Sequence, residues 1–191
     1  GVHAVSGRGE RFKAGRRVVK NVTGYDLAKL VAGSWGTLAV LTGITVKVLP
    51  RAEDVATVLV LGLGDARAVE AMSAAMGSSC EVSAAAHLPE RAVARMPVEA
   101  VAGAGRAVTA LRLEGIPVSI AYRRQKLEEL LRPFGALALL GAGDSRAFWR
   151  AVRDAVPFAA ATERALWRIS VAPTDGPKVA GSIVHSTGAE I

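Results

Sequence analysis

The sequence predicts an α+β protein in two consecutive parts, and three observations carry that expectation. The first fifty residues are rich in glycine and close on a run of period-two apolar positions that stops at Pro50. Beyond Pro50, strand-like and helix-like segments alternate at short spacing, which predicts helices packed on one face of a sheet. No apolar run approaches the ~18 residues that a membrane span needs. The expected parts are residues 1–50 and 54–191.

Within the first part, GVHAV and ERFKAG flank SGRG, so a hairpin is expected with its turn at Ser6 to Gly9. A short helix is expected from Asp26 to Ala32. Asp26 is placed to cap it, Leu27, Leu30 and Val31 share one face, and Gly33 stops it. From Leu38 onward the even positions Leu38, Val40, Ile44, Val46 and Val48 are apolar, the signature of a half-buried strand.

The second part opens with a strand at Val55 to Leu63, followed by a helix capped by Asp65, with Val69, Met72 and Met76 inward and Gly77 at its end. Val82 to Leu88 reads as a strand, and Pro89 to Gly105 as a loop or short helix. Val108 to Leu113 is a strand running into Glu114-Gly115, and Pro117 opens a helix to Leu131. A strand at Ala136 to Leu140, a helix capped by Asp144 through Val152, and a last alternating strand at Leu166 to Val171 complete the series. Gly1 stands where a Met would open a chain, and strand-like SIVHS lies close to Ile191. A fragment is therefore expected.

Composition narrows the function classes. The chain is 51% hydrophobic and 21% charged, within the range of globular proteins. Its net charge is +7, carried by 18 Arg and 6 Lys. These are scattered, mostly near Asp or Glu, and no aromatics interleave with them, so the sequence favours arginine-rich coding over a nucleic-acid footprint. The single Cys80 excludes an internal disulfide and fits a reducing, cytoplasmic address. No signal peptide is expected, because basic residues interrupt the first twenty positions without an apolar segment following.

The chemistry-bearing stretch is VVKNVTGYDLAKLVAGSWGTLAVLTGITVKVLP, Val18 to Pro50. Gly24, Gly33 and Gly36 allow backbone shapes that a Cβ would block, and Ser34 and Thr37 place hydroxyls beside backbone N–H groups. Such a turn can hold a phosphate or a polar ring edge through main-chain donors. On spacing alone, an ordinary helix-to-strand loop ranks ahead of that reading.

The pairing of NVTGYDL with GSWGTLAVLTGITVKVLP resembles the second FAD-contacting region of the vanillyl-alcohol-oxidase/PCMH-type flavoprotein family. Within it, the chain is most similar to the family of FAD-binding subunits of bacterial glycolate oxidase. The resemblance implies the C-terminal part of a PCMH-type FAD-binding domain followed by an α+β, ferredoxin-like cap. It implies that Gly33, Ser34, Trp35, Gly36, Thr37, Leu38, Ala39, Val40 and Leu41 line FAD, with Thr23 and Gly24 close by. Many members carry Glu at the position of Trp35 and Gly at that of Ala39. The missing Glu tilts the match to the companion subunit rather than the catalytic one. LRLEG at Leu111 to Gly115 and LWRISVAPT at Leu166 to Thr174 resemble cap elements.

By that resemblance the protein binds FAD in a glycolate oxidase complex that turns glycolate into glyoxylate. Its partners would be a catalytic flavoprotein subunit and an iron–sulfur subunit, and its location cytoplasmic or peripheral at the inner membrane. The family's pyrophosphate loop lies N-terminal to the matched region, so weak FAD binding by this stretch alone is expected. Two other readings stay open: a stand-alone FAD-dependent D-2-hydroxyacid dehydrogenase, and a non-catalytic assembly subunit that keeps the fold.

The remaining candidates are weaker. His3, His87 and His185 are far apart with no HxH or HxxxH spacing, so no metal site is expected. Cys80 reads as a small core residue. Glu114 and Arg168 each place a charge in an expected cap strand; they face either a flavin cleft or, as alternation favours, the solvent side of the sheet. Trp149 and Trp167 read as core or subunit-contact residues.

Overall fold

A computed structural model describes residues 1–15, 24–159 and 165–189. The chain divides into two compact units, Gly1–Arg51 and Ala52–Ile191.

In the first unit, β1 (Val2–Ser6) and β2 (Arg11–Ala14) form the expected antiparallel hairpin, with Val2 opposite Ala14 and Val5 opposite Arg11. Its turn closes through Gly9 N–H to the Ser6 carbonyl at 2.9 Å. β3 (Ala39–Ile44) pairs antiparallel with the other side of β1, giving the order β2-β1-β3. The short helix α1 (Leu27–Val31) is capped by Asp26, whose carboxylate accepts from the Lys29 N–H. A small core of Val2, Ala4, Ala14, Val31 and Ala39 holds the sheet and helix together. Of the expected inner face of α1 only Val31 is buried; Leu27 and Leu30 are exposed.

The strand before Pro50 departs from the expectation in length and facing. It ends at Ile44, and Leu38, Val40, Ile44, Val46 and Val48 are all exposed. The register explains part of this. Ala4 pairs with Leu41 but His3 with Gly43, so Thr42 is an extra residue. Such a bulge flips the alternation, and Val40 and Ile44 end up on opposite faces. Ala39 is the strand residue that enters the core.

The second unit has the strand order β5-β6-β4-β7, with every neighbouring pair antiparallel. The strands are β4 (Asp54–Leu61), β5 (Ala84–Leu88), β6 (Val108–Gly115) and β7 (Ala136–Leu140). With helices α2 (Asp65–Met76) and α5 (Pro117–Leu131) they make the β-α-β-β-α-β succession of a ferredoxin-like fold. Strand alternation gives the sheet two apolar faces. Val58, Val60, Leu111 and Leu113 pack under α2 and α5. Leu59, Val108, Ala110 and Leu140 pack against α3 (Glu90–Val93), α4 (Glu99–Ala102) and α6 (Ala142–Arg153) on the other side. Helices therefore cover both faces, where one was expected. The two short helices α3 and α4 lie in Pro89 to Gly105, where a loop or short helix was expected.

Four local expectations are corrected. The residues preceding α2 and α6 are Gly64 and Gly141; Asp65 and Asp144 lie inside the first turns, where their charge still favours the helix N-terminus. α2 buries Ala68, Ala71 and Ala75, leaving Met76 exposed, because small side chains let it lie close on the sheet. Leu166 to Val171 forms no strand, and its apolar residues are exposed. SIVHS belongs to α8 (Gly176–Thr187), which follows a 3-10 turn at Pro173–Asp175. Pro in the first helical positions and Gly188 in the left-handed conformation after Thr187 give that helix a start and a stop. A further short helix, α7 (Val156–Ala159), follows α6.

Candidate functional site

The residues singled out in the first unit form one continuous turn and strand, Gly33 to Leu41, immediately after α1. Gly24 lies on the N-terminal side of that helix, and Thr23 is outside the described residues. The turn has an unusual backbone. Gly33, Trp35 and Gly36 have φ of +77°, +53° and +79°. The left-handed region is open to glycine, but for a tryptophan it costs roughly 1–2 kcal/mol. Among the described residues, chain neighbours aside, no heavy atom lies within 4 Å of where a Cβ would stand on Gly24, Gly33 or Gly36. The open side of the turn is a space that side chains would occupy in most sequences.

Its inner side is tied down. The Ser34 N–H donates to the Val31 carbonyl, and the Ser34 carbonyl accepts both the Thr37 N–H (3.0 Å) and the Thr37 hydroxyl (2.7 Å). Among the described residues, the N–H groups of Trp35 and Gly36 meet no acceptor. Trp35 is 97% exposed, and Leu38, Val40 and Leu41 are exposed beside it. Ala39 differs from its neighbours, because its methyl is buried in the unit's core. A glycine is not needed there, and only the Ala39 backbone remains available to a ligand. The turn thus offers free main-chain donors, a glycine-lined gap and an apolar strip, the chemistry that suits a flat, partly polar ring system with attached phosphates.

In the second unit, Glu114 is engaged by Arg112 at 3.1 Å. Arg112 also donates from Nε to the Ser83 hydroxyl (3.0 Å) and lies 5.2 Å over the Trp149 ring. Trp149 Nε1 donates to Thr57 Oγ1, which shares a 2.6 Å hydrogen bond with Ser145. Period two on β6 puts Arg112 and Glu114 on one face, so this pairing was readable from the sequence. Arg168 is exposed and lies in no strand. Trp149 is a packed residue, whereas Trp167 is 81% exposed.

A second polar cluster carries no signal in the sequence. His87 on β5 is nearly buried; its Nδ1 meets the Thr109 hydroxyl at 2.9 Å, and its Nε2 lies 3.2 Å from Asp65 Oδ1. That second contact is within ion-pair reach but off hydrogen-bond alignment. Burial pushes the imidazole below its usual value, and Asp65 pulls partly back. His87, Thr109 and Asp65 are too far apart in sequence for any spacing motif to join them. Among the described residues no group of His, Cys, Asp and Glu is arranged to hold a metal ion.

The chain's fold is similar to part of a PCMH-type flavoprotein. p-Cresol methylhydroxylase superposes with a TM-score of 0.58 over 80% of this chain and 36% of its own, at 13% identity, so this likeness is one of fold. The chain is, further, a relative of glycolate oxidase subunits and FAD-linked oxidoreductases, as the motif pair implied. Glycolate oxidase subunit GlcE of Escherichia coli is 51% identical over 51 residues, 27% of this chain and 15% of that protein. An FAD-linked oxidoreductase of Mycobacterium tuberculosis is 48% identical over 59 residues, 31% of this chain and 13% of its own. D-2-hydroxyglutarate dehydrogenase of Stutzerimonas stutzeri is 30% identical over 96 residues, 50% of this chain and 20% of its own. The matched segments are thus a fifth or less of each relative. No family model matches the chain.

Proposed function

We propose that the chain is part of the FAD-binding subunit of a glycolate oxidase complex, with residues 1–50 completing the FAD domain and 54–191 forming its cap. The observation that carries this reading is the turn at Gly33 to Thr37, with three left-handed residues in four and open space where Cβ atoms would stand. FAD, when bound, supplies the hydride acceptor for oxidation of a 2-hydroxy acid.

The chain's own residues position and shield. Gly33 and Gly36 let the cofactor approach the backbone, and the Trp35 and Gly36 N–H groups supply donors. Leu38, Val40 and Leu41 offer an apolar wall, and Thr23 and Gly24 stand close by. Thr37 keeps the turn in shape by holding the Ser34 carbonyl, so the donors keep their direction without a ligand. The substrate is glycolate, and the partners are a catalytic flavoprotein subunit and an iron–sulfur subunit. The location is cytoplasmic or peripheral at the inner membrane; among the described residues no helix is long and apolar enough to cross a membrane.

A second reading, a stand-alone FAD-dependent D-2-hydroxyacid dehydrogenase, is favoured by the match to D-2-hydroxyglutarate dehydrogenase, which extends over half of this chain. One experiment separates the readings: visible absorbance of the full-length protein, purified alone and with its genetic neighbours. Flavin bands in both preparations are expected, with bleaching by glycolate only when the partners are present. Bleaching by a 2-hydroxy acid in the protein alone moves the assignment to the stand-alone enzyme. A colourless protein in both preparations, even after added FAD, overturns the flavin reading and leaves an assembly subunit.

A further inference from the structure

We draw no further inference here: the strongest candidate, the run of exposed apolar side chains at Leu166, Trp167, Ile169 and Val171 ahead of α8 in the second unit, carries none, because nothing in the structure shows what covers it.

Discussion

Removing the Arg123 guanidinium should cost more stability than any ion pair in the molecule, because its value lies in backbone carbonyls and not in its carboxylate neighbour. Arg123 on α5 is 8% exposed. It donates from Nη2 to the Glu114 carbonyl (2.7 Å), from Nη1 to the Cys80 and Glu81 carbonyls (3.3 and 3.4 Å), and from Nε to the Ser119 hydroxyl (3.0 Å). It thereby joins the end of β6 and the loop before β5 to one helix. The contact with the Glu81 carboxylate is longer, 3.7 Å, and that side chain is 81% exposed.

Arg123→Met keeps most of the apolar stem but strands the acceptors. The Cys80 carbonyl is in a buried environment, so its loss costs about 1–3 kcal/mol; water can partly replace the donors to the other two. A total of about 2–4 kcal/mol is expected, rising to about 3–5 for Arg123→Ala, which also loses the packed stem. Glu81→Gln should cost no more than about 0.5 kcal/mol, as exposed pairs do. Urea unfolding followed by far-UV circular dichroism measures all three. The reasoning fails if Arg123→Met lies within about 0.5 kcal/mol of wild type, or if Glu81→Gln costs as much as Arg123→Met.

Three further outcomes are expected. Because burial lowers the folded pKa of His87 below its ordinary 6.5, with Asp65 opposing, stability is fully present above the unfolded value and is lost as pH falls through the folded one. An NMR titration of the His87 ring should find its midpoint below that of a peptide histidine, and Asp65→Asn should lower it further; a raised midpoint refutes the burial argument. Thr57→Val should cost about 1–3 kcal/mol by orphaning Trp149 Nε1 and Ser145, while Thr57→Ser stays near wild type in the same urea assay. Trp35→Gly should be more stable than Trp35→Ala by about 0.5–1 kcal/mol, since both remove the ring and only glycine relieves a φ of +53°; equal midpoints would show that the turn is not strained.

How much of this was legible in the sequence depended on whether a local signal matched the tertiary one. The hairpin at Ser6 to Gly9, the Asp26 cap and strands β4 to β7 carried both, and their positions follow directly. Where two signals conflicted, alternation misled. Ile183-Val184 looks like strand, yet Pro177 and Gly188 bound a helix there, and end signals outweigh two β-branched residues inside it. Leu166 to Val171 alternates convincingly, but a strand exists only if another strand meets it, and pairing cannot be read from one segment. The apolar positions of α2 were assigned by size, while the sheet selected alanine because it permits closer approach.

The candidate site shows a different limit. The glycines of Gly33 to Thr37 announced a turn of special shape, and their φ values agree with that. What they could not announce was the backbone of Trp35, a residue that the resemblance marked only as expected to line FAD. It takes a left-handed conformation and is almost fully exposed in the middle of the turn. Local hydrogen bonds do not require this, since Thr37 and Ser34 close the turn through their own atoms. A strained backbone and a large apolar surface in water are both unfavourable, and they coincide at one residue beside free main-chain donors. Under the proposed function, a bound ring system would cover the indole and fix the turn, so that the strain is retained for binding. Trp35→Ala should therefore weaken flavin retention in the full-length protein although it removes no hydrogen bond. Unchanged retention would assign the exposed indole to a protein contact and leave the proposed flavin site resting on the glycine-lined gap and the Trp35 and Gly36 N–H groups alone.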